Sequence, residues 1–327
     1  MEIYLVGGAV RDALLGLEVK DRDWVVVGAQ PEDLESRGYR RVGKSFPVFL
    51  HPDTNEEYAL ARTERKTGTG YKGFSFDTST SVSLEDDLKR RDLTINAIAQ
   101  ANNGDIIDPY GGQADLRAGV LRHVSDAFVE DPLRVLRTCR FAARFNFTIA
   151  PETMALLREI VAGGELSDLA AERIWLECHT ALGEDNPQIF VQTMRACGAL
   201  QAILPEVACL FGVPQPAKYH PEIDTGEHIC LALEQTAKKH MSTAVRFAVL
   251  VHDVGKGNTP ESLLPKHHGH EAAGVPLVEA IAARLRVPKD YRELALTVTR
   301  HHLQIHRVHE MRAPNLLKLL DCLDAVS

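Results

Sequence analysis

The chain has 327 residues, 45% hydrophobic and 25% charged, with a formal net charge of −8. That length predicts two or three domains, and no run approaches the roughly 20 apolar residues of a membrane span. An acidic balance argues against binding long polyanions by bulk charge.

Met1-Glu2-Ile3-Tyr4 lacks the basic and then apolar regions of a secretory signal. The six cysteines are scattered, with no Cys-x-x-Cys pair. They read as buried thiols of a reducing, cytoplasmic protein, not as a disulfide or zinc framework.

Up to about residue 125 the chain reads as strands with glycine-rich turns. Ile3 to Asp12 predicts strand, tight turn and helix, in which Gly7 and Gly8 let the backbone approach a phosphate. Arg11, one turn into that helix, can reach the same anion. After a further twelve residues Asp21-Arg22-Asp23 enters the apolar run Trp24 to Val27. Side chains at i and i+2 of a strand share a face, about 6–7 Å apart. Asp21 and Asp23 can therefore hold a pair of magnesium ions about 3.5–4 Å apart. One ion would activate an attacking hydroxyl, the other would neutralise a triphosphate, and Mg2+ suits carboxylate, phosphate and water ligands. Glu57 is the candidate third carboxylate, with Glu56 equally placed. Lys66 to Phe74 holds three glycines and two lysines, which predicts a mobile loop over the site.

Basic residues cluster near these motifs: Arg62, Arg65 and Lys66; then Lys89-Arg90-Arg91; then Arg134, Arg137, Arg140 and Arg144 at spacings that share a helix face. They read as phosphate contacts, against the plainer alternative of a solvated surface.

From Pro132 to Gly198 the pattern is consecutive helices, with Pro132, Pro151 and Pro187 at helix starts and Gly198 past an end. Ser167–Leu182 and Asn186–Cys197 are the clearest helical stretches. Beyond Val213-Pro214-Gln215-Pro216 lie eleven of the 14 histidines, between His220 and His309. Packing does not explain that density; it points to a metal or phosphate site. His252-Asp253 follows the apolar run Ala244 to Val251, which predicts the end of a buried helix. Asn315 to Ser327 reads as an amphipathic helix and predicts a last domain that is incomplete here.

Gly7-Gly8, the twelve-residue gap and Asp21-Arg22-Asp23 resemble the signature of DNA polymerase β-like nucleotidyltransferases. Leu5 to Asp12, Lys89 to Ala97, Asp108-Pro109-Tyr110-Gly111-Gly112 and Glu130 to Arg137 are similar, in order, to the motifs of class II CCA-adding enzymes and bacterial poly(A) polymerases. The histidine-rich tail resembles the HD phosphohydrolase domain of gammaproteobacterial multifunctional CCA proteins, through His228, His252-Asp253, Gly226-Glu227-His228 and Gly255-Lys256-Gly257. HD domains close their site with a late aspartate. None stands near His301-His302-Leu303, which leaves His302, Asp321 or Asp324 as substitutes.

The resemblance implies an α+β fold: a polymerase β-like mixed-sheet head over 1–125, an all-α neck over 126–212, and an HD-type helical domain over 213–327. It implies addition of CCA to the tRNA 3′ end from CTP and ATP, with Mg2+ on Asp21 and Asp23. Gly8, Arg11 and Arg91 would contact triphosphate or ribose. Asp92 would hold a ribose hydroxyl, or cap a helix over Leu93–Ala99, or both. Asp131 and Arg134 would pair with the Watson–Crick edge of cytosine or adenine as acceptor and planar donor. Guanine and uracil would leave buried groups unpaired. Arg137 and Arg140 extend the contact to the nucleotide. His228, His252 and Asp253 would hold Ni2+ or another divalent metal for phosphatase, 2′-nucleotidase and 2′,3′-cyclic phosphodiesterase activity. The implied partner is the tRNA acceptor stem, with no membrane and a monomer or weak homo-oligomer. The rivals are a poly(A) polymerase on the same head, an HD hydrolase whose head only clamps RNA, and an inert RNA-binding module.

Overall fold

A computed structural model describes residues 1–42, 47–66, 74–218 and 221–324. Of the loop predicted over Lys66–Phe74, the end residues Lys66 and Phe74 belong to strands, and 67–73 lie outside the described residues. Two compact units are present: Met1–Arg134 with Phe147–Leu156, and Val135–Asn146 with Leu157–Ser327.

The first unit is built on a seven-stranded mixed sheet. Its chain-ordered strands are β1 (Glu2–Val6), β2 (Asp23–Val27), β3 (Arg40–Val42), β4 (Val48–Leu50) and β5 (Glu57–Leu60); a separate hairpin of β6 (Thr63–Lys66) and β7 (Phe74–Asp77) precedes β8 (Ala99–Ala101) and β9 (Ile106–Ile107). The sheet order is β3-β4-β5-β2-β1-β8-β9. β2 lies in the middle, antiparallel to β1 and parallel to β5. Its run of apolar residues follows from that place, because a central strand buries both faces. Val25 packs with Val6, Leu88 and Ala99, while Val26 packs with Leu34, Phe49 and Leu60. Burying each of these valine, leucine and phenylalanine side chains is worth about 1.5–3 kcal/mol. A slip of one residue would exchange the two faces, so the position of Asp23 at the strand's first residue is firmly set.

Residues 93–99 depart from the helix predicted there. They form a 3-10 turn at Thr94–Asn96 and then enter β8. Ala97 and Ala99 are fully buried in the core under β1, and β8 pairs with β1. Sheet burial overrides a helical spacing over so short a segment.

The second unit is helical. The predicted helix Ser167–Leu182 begins late, at Ala171, and runs to Gly183. Glu165–Asp168 is a 3-10 turn, and Leu169 is extended with φ −68 and ψ 140. Ser167 hydrogen-bonds the Gly164 carbonyl instead of entering a helix. Pro187–Cys197 is a helix with proline in its first turn and Gly198 at φ +86 after its end, as the sequence predicts. Thr243–Val251 starts at Ser242, whose hydroxyl accepts from the Val245 N–H, and ends at His252. Among the described cysteines, Cys139, Cys178, Cys197 and Cys230 are buried free thiols, but Cys209 is exposed. It follows the four-residue helix Pro205–Ala208, too short to cover it. No helix among the described residues is long and apolar enough to cross a membrane.

Candidate active site and metal cluster

In the first unit, the turn between β1 and the helix Gly8–Leu14 rests on Gly7, with φ +66 and ψ −127. A Cβ there would lie 2.8 Å from Nη1 of Arg91, so glycine lets that guanidinium lie against the turn. Arg11 is buried beside Gly8. Its Nε donates to Asp12 at 2.8 Å and its Nη1 to Asn96 Oδ1 at 2.5 Å. Asn96 Nδ2 donates in turn to Asp92 Oδ1 at 2.9 Å, which also accepts from the Leu93 N–H at 2.8 Å. Arg11 and Asp92, far apart in sequence, are thus joined through Asn96. Sequence reasoning missed that linker, although it lies within the motif Lys89–Ala97.

Asp21, Arg22, Asp23, Asn55, Glu56 and Glu57 line a cleft of about 690 Å³. Asp23 opens β2 in register with Glu57 of β5 and Val6 of β1. Asp21 precedes the strand, so the two aspartates share the cleft without sharing one strand face. Enclosure raises the Asp23 carboxyl above its ordinary range although the residue is exposed overall; Arg91 opposes the rise and Asp21 adds to it. The Glu56 carboxylate is taken by Trp24 Nε1 at 2.9 Å and by Arg22 at 3.4 Å. Glu57 is the one that continues the line from Asp23.

Arg91 donates from Nη2 to Asp87 Oδ2 at 3.1 Å, and its buried Nε has no hydrogen-bond partner among the described residues. Asp87 also accepts from Arg90 Nη2 at 2.7 Å and Nε at 3.0 Å. Asp131 caps the helix Leu133–Phe145, its Oδ1 accepting from the Leu133 N–H at 3.0 Å. Arg134 donates to the carbonyls of Ala127 at 2.9 Å and Arg90 at 2.6 Å.

In the second unit, Arg140 is buried and pairs through Nε with Glu177 Oε2 at 2.6 Å, while Arg137 lies 3.8 Å from the other oxygen. Both guanidiniums lie over the Phe141 ring, at 5.5 Å for Arg137 and 4.4 Å for Arg140. For Arg140 this rules out a solvated helix face. Glu177, a buried acid in the apolar helix Ala171–Gly183, is the signal that sequence reasoning passed over.

The histidines converge in the same unit. His228, His252 and Asp253 form one group of potential ligand atoms, and Asp253, His270 and His302 a second, each within 4.8 Å. His252 Nε2 stands 3.2 Å from Asp253 Oδ2; His270 and His302 Nε2 stand 3.3 and 3.5 Å from Oδ1. Each imidazole is oriented through Nδ1: His228 by Glu222 at 2.6 Å, His252 by the Val249 carbonyl at 2.8 Å, His270 by that of His267 at 2.7 Å, and His302 by that of Val298 at 3.2 Å. With Nδ1 donating, Nε2 presents a lone pair, as metal-binding imidazoles do. The His270 and His302 Nε2 atoms face each other at 3.2 Å, and Asp253 Oδ1 is buried without a hydrogen bond. Such a donor set fits a divalent cation. Burial and the neighbouring His252 push the His302 imidazole down to about 4, which keeps it neutral. His302 joins the cluster that the missing late aspartate left open, and His270, not singled out as a ligand by sequence, joins with it. Asp321 is in neither group.

Sequence models of three families match. The Poly A polymerase head domain covers residues 3–122, the "Probable RNA and SrmB- binding site of polymerase A" covers 146–210, and the HD domain covers 225–327. The "Multifunctional CCA protein" of Alkalilimnicola ehrlichii is 61% identical over 327 residues, covering 99% of this chain and 79% of the relative. That of Nitrosococcus oceani is 60% identical, covering 99% and 80%. The chain belongs to the multifunctional CCA protein family. It is a nucleotidyltransferase, and its head and HD domain imply divalent metal use. A solved "complex structure of CCA-adding enzyme with ATP" is similar at 25% identity and TM-score 0.62, covering 94% of this chain and 68% of that one. A "tRNA-processing enzyme (apo form I)" is similar at 26% identity and TM-score 0.63, covering 95% and 77%. These structures share the mixed-sheet head and helical remainder of this member of the multifunctional CCA family.

Proposed function

We propose that the chain adds C, C and A to tRNA 3′ ends from CTP and ATP by in-line nucleotidyl transfer with Mg2+. The observation that carries this is the single cleft shared by Asp21, Asp23 and Glu57, with Arg91 lying against the neighbouring Gly7-Gly8 turn. Asp21 and Asp23, with Glu57 beside them, would hold the magnesium ions. Those ions would lower the barrier by activating the 3′-hydroxyl and neutralising the leaving pyrophosphate. Arg91 and Arg11 seat the triphosphate, Asp92 orients a ribose hydroxyl, and Gly8 admits the phosphate close to the backbone. Asp131 and Arg134 read the base edge. The acceptor stem of tRNA is the partner, the compartment the cytoplasm, and the state a monomer or weak homo-oligomer.

A transcript lacking its 3′-CCA, Mg2+ and labelled CTP and ATP, separately and together, test the reading. Two C additions and one A, abolished in Asp21→Ala/Asp23→Ala, are expected. Repeated ATP addition alone would replace the reading with a poly(A) polymerase.

A second activity rests on the histidine cluster. His228, His252 and Asp253, joined by His270 and His302, would hold Ni2+ or another divalent ion. The ion would supply Lewis acidity and an activated water for phosphatase, 2′-nucleotidase and 2′,3′-cyclic phosphodiesterase chemistry. His252→Ala should abolish metal-dependent hydrolysis of 2′,3′-cyclic AMP; unchanged hydrolysis would move the activity elsewhere.

A further inference from the structure

The motif Gly255-Lys256-Gly257 has a consequence for substrate binding. It forms the 3-10 turn Val254–Asn258 directly after the Asp253 ligand. A Cβ at Gly255 would collide with the His270 carbonyl and lie 2.6 Å from the Gly274 N–H; one at Gly257 would collide with Cys209 Sγ. Both glycines therefore press the turn against its neighbours, and Lys256 between them is held inward, only 6% exposed. Its Nζ donates to Asp253 Oδ2 at 2.7 Å and to Gln215 Oε1 at 2.6 Å. Gln215 is itself 2% exposed, and its Nε2 is buried without a hydrogen-bond partner among the described residues.

Buried polar groups are kept where they have something to hold. Lys256 has a third N–H beyond its two bonds, and Gln215 has an unused amide donor. Charge points the same way. Once a divalent ion sits on Asp253, that ion and the Lys256 ammonium together carry more charge than the Asp253 and Glu222 carboxylates they stand against. The ammonium then shares its carboxylate with a like-charged neighbour, and an arriving anion relieves both.

We propose that Lys256 and Gln215 form a seat for the anionic phosphoryl group of a phosphoester presented to the histidine–aspartate cluster. This rests on the phosphohydrolase reading above. Lys256 supplies a point charge and Gln215 a neutral donor, a combination suited to a phosphate oxygen. The bond from Lys256 to Asp253 Oδ2 is the resting arrangement, exchanged for the phosphate when the ion is bound.

The test uses the full chain carrying Asp21→Ala and Asp23→Ala, so that the head holds no cation-dependent phosphate. Inorganic phosphate is titrated calorimetrically into the Ni2+-loaded protein, and p-nitrophenyl phosphate hydrolysis is measured alongside. Lys256→Gln should raise the phosphate dissociation constant and the KM in parallel, by about tenfold or more for a lost charge-assisted bond. Ni2+ affinity without phosphate should be retained or increased, which also reports that the cluster is folded. Gln215→Leu, which leaves Lys256 in place, should raise both constants by a smaller factor. If Lys256→Gln weakens Ni2+ binding and leaves phosphate affinity unchanged, Lys256 is only a counter-ion of Asp253 and the seat is wrong. If the parent protein neither binds phosphate nor hydrolyses any phosphoester, the phosphohydrolase reading itself falls, and the seat with it.

Discussion

Asp87, with no exposed side-chain surface, receives the Arg91 guanidinium on Oδ2 at 3.1 Å. Its other oxygen takes Arg90, so one buried carboxylate holds two consecutive arginines. Burial works to raise its pKa, but the Arg91 and Arg90 charges and hydrogen bonds overcome it and hold the carboxyl below its usual 3.8. The stabilisation is therefore present above about 3.8 and is lost only as pH falls through the lowered value. Asp87→Asn leaves two cations short of a partner. It should cost about 3–5 kcal/mol in a denaturant melt at neutral pH, and raise KM for CTP and ATP together. An unchanged melt would mean the arginines find other partners.

Gly7→Ala meets two obstacles, the positive φ and the Arg91 guanidinium 2.8 Å from the new Cβ. The backbone strain alone is about 1–3 kcal/mol. We expect a lowered midpoint in thermal unfolding and a rise in nucleotide KM larger than the change in kcat, since Arg91 must move off the turn. A variant with wild-type KM would separate Arg91 from triphosphate binding.

Glu56 and Glu57 are adjacent but unequal. Glu56 is engaged by Trp24 and Arg22, while Glu57 stands in register with Asp23. Glu57→Gln should raise the Mg2+ concentration needed for half-maximal transfer about tenfold or more, in line with loss of a group that supports metal binding. Glu56→Gln should leave that requirement near wild type and lower stability instead. The reverse ranking, read from Mg2+ titrations of initial rate, would exchange their roles.

Burial works to lower the His252 pKa, but the Asp253 charge and hydrogen bond raise it above 6.5 overall. In the cation-free protein its stabilising contribution is complete below about 6.5 and is lost as pH rises through the raised value. A cation must displace that proton, so Ni2+ affinity should climb with pH over the same interval. Calorimetry in buffers of different ionisation enthalpy would show the released proton. A pH-independent affinity would mean that His252 is already neutral.

Local chemistry made much of the head legible. Gly7, Asp23 and the run after it announce strand, turn and cleft through residues close in sequence, and the proline and glycine limits of Pro187–Cys197 do the same for that helix. What stayed hidden needed partners far along the chain. Arg11 meets Asn96 across 85 positions, and Arg140 meets Glu177 across 37. His302 is one histidine among eleven in the tail, and nothing in its neighbours tells that Val298 turns its ring toward Asp253. Residues 93–99 misled because helix and strand spacings look alike over so short a stretch, and the pairing of β8 with β1 decides between them.

The hydrogen bond from Arg134 to the Arg90 carbonyl ties the residue proposed to read the base to the backbone just before the one proposed to grip the phosphates. Anyone wishing to retrain this enzyme toward a different nucleotide inherits that bond as a constraint. A replacement at Arg134 that suits a new base also releases Arg90, and through it the grip on the tail of every nucleotide. Altered selectivity and undiminished throughput should therefore be hard to obtain from a single exchange, and the compensating change is best sought around Arg90.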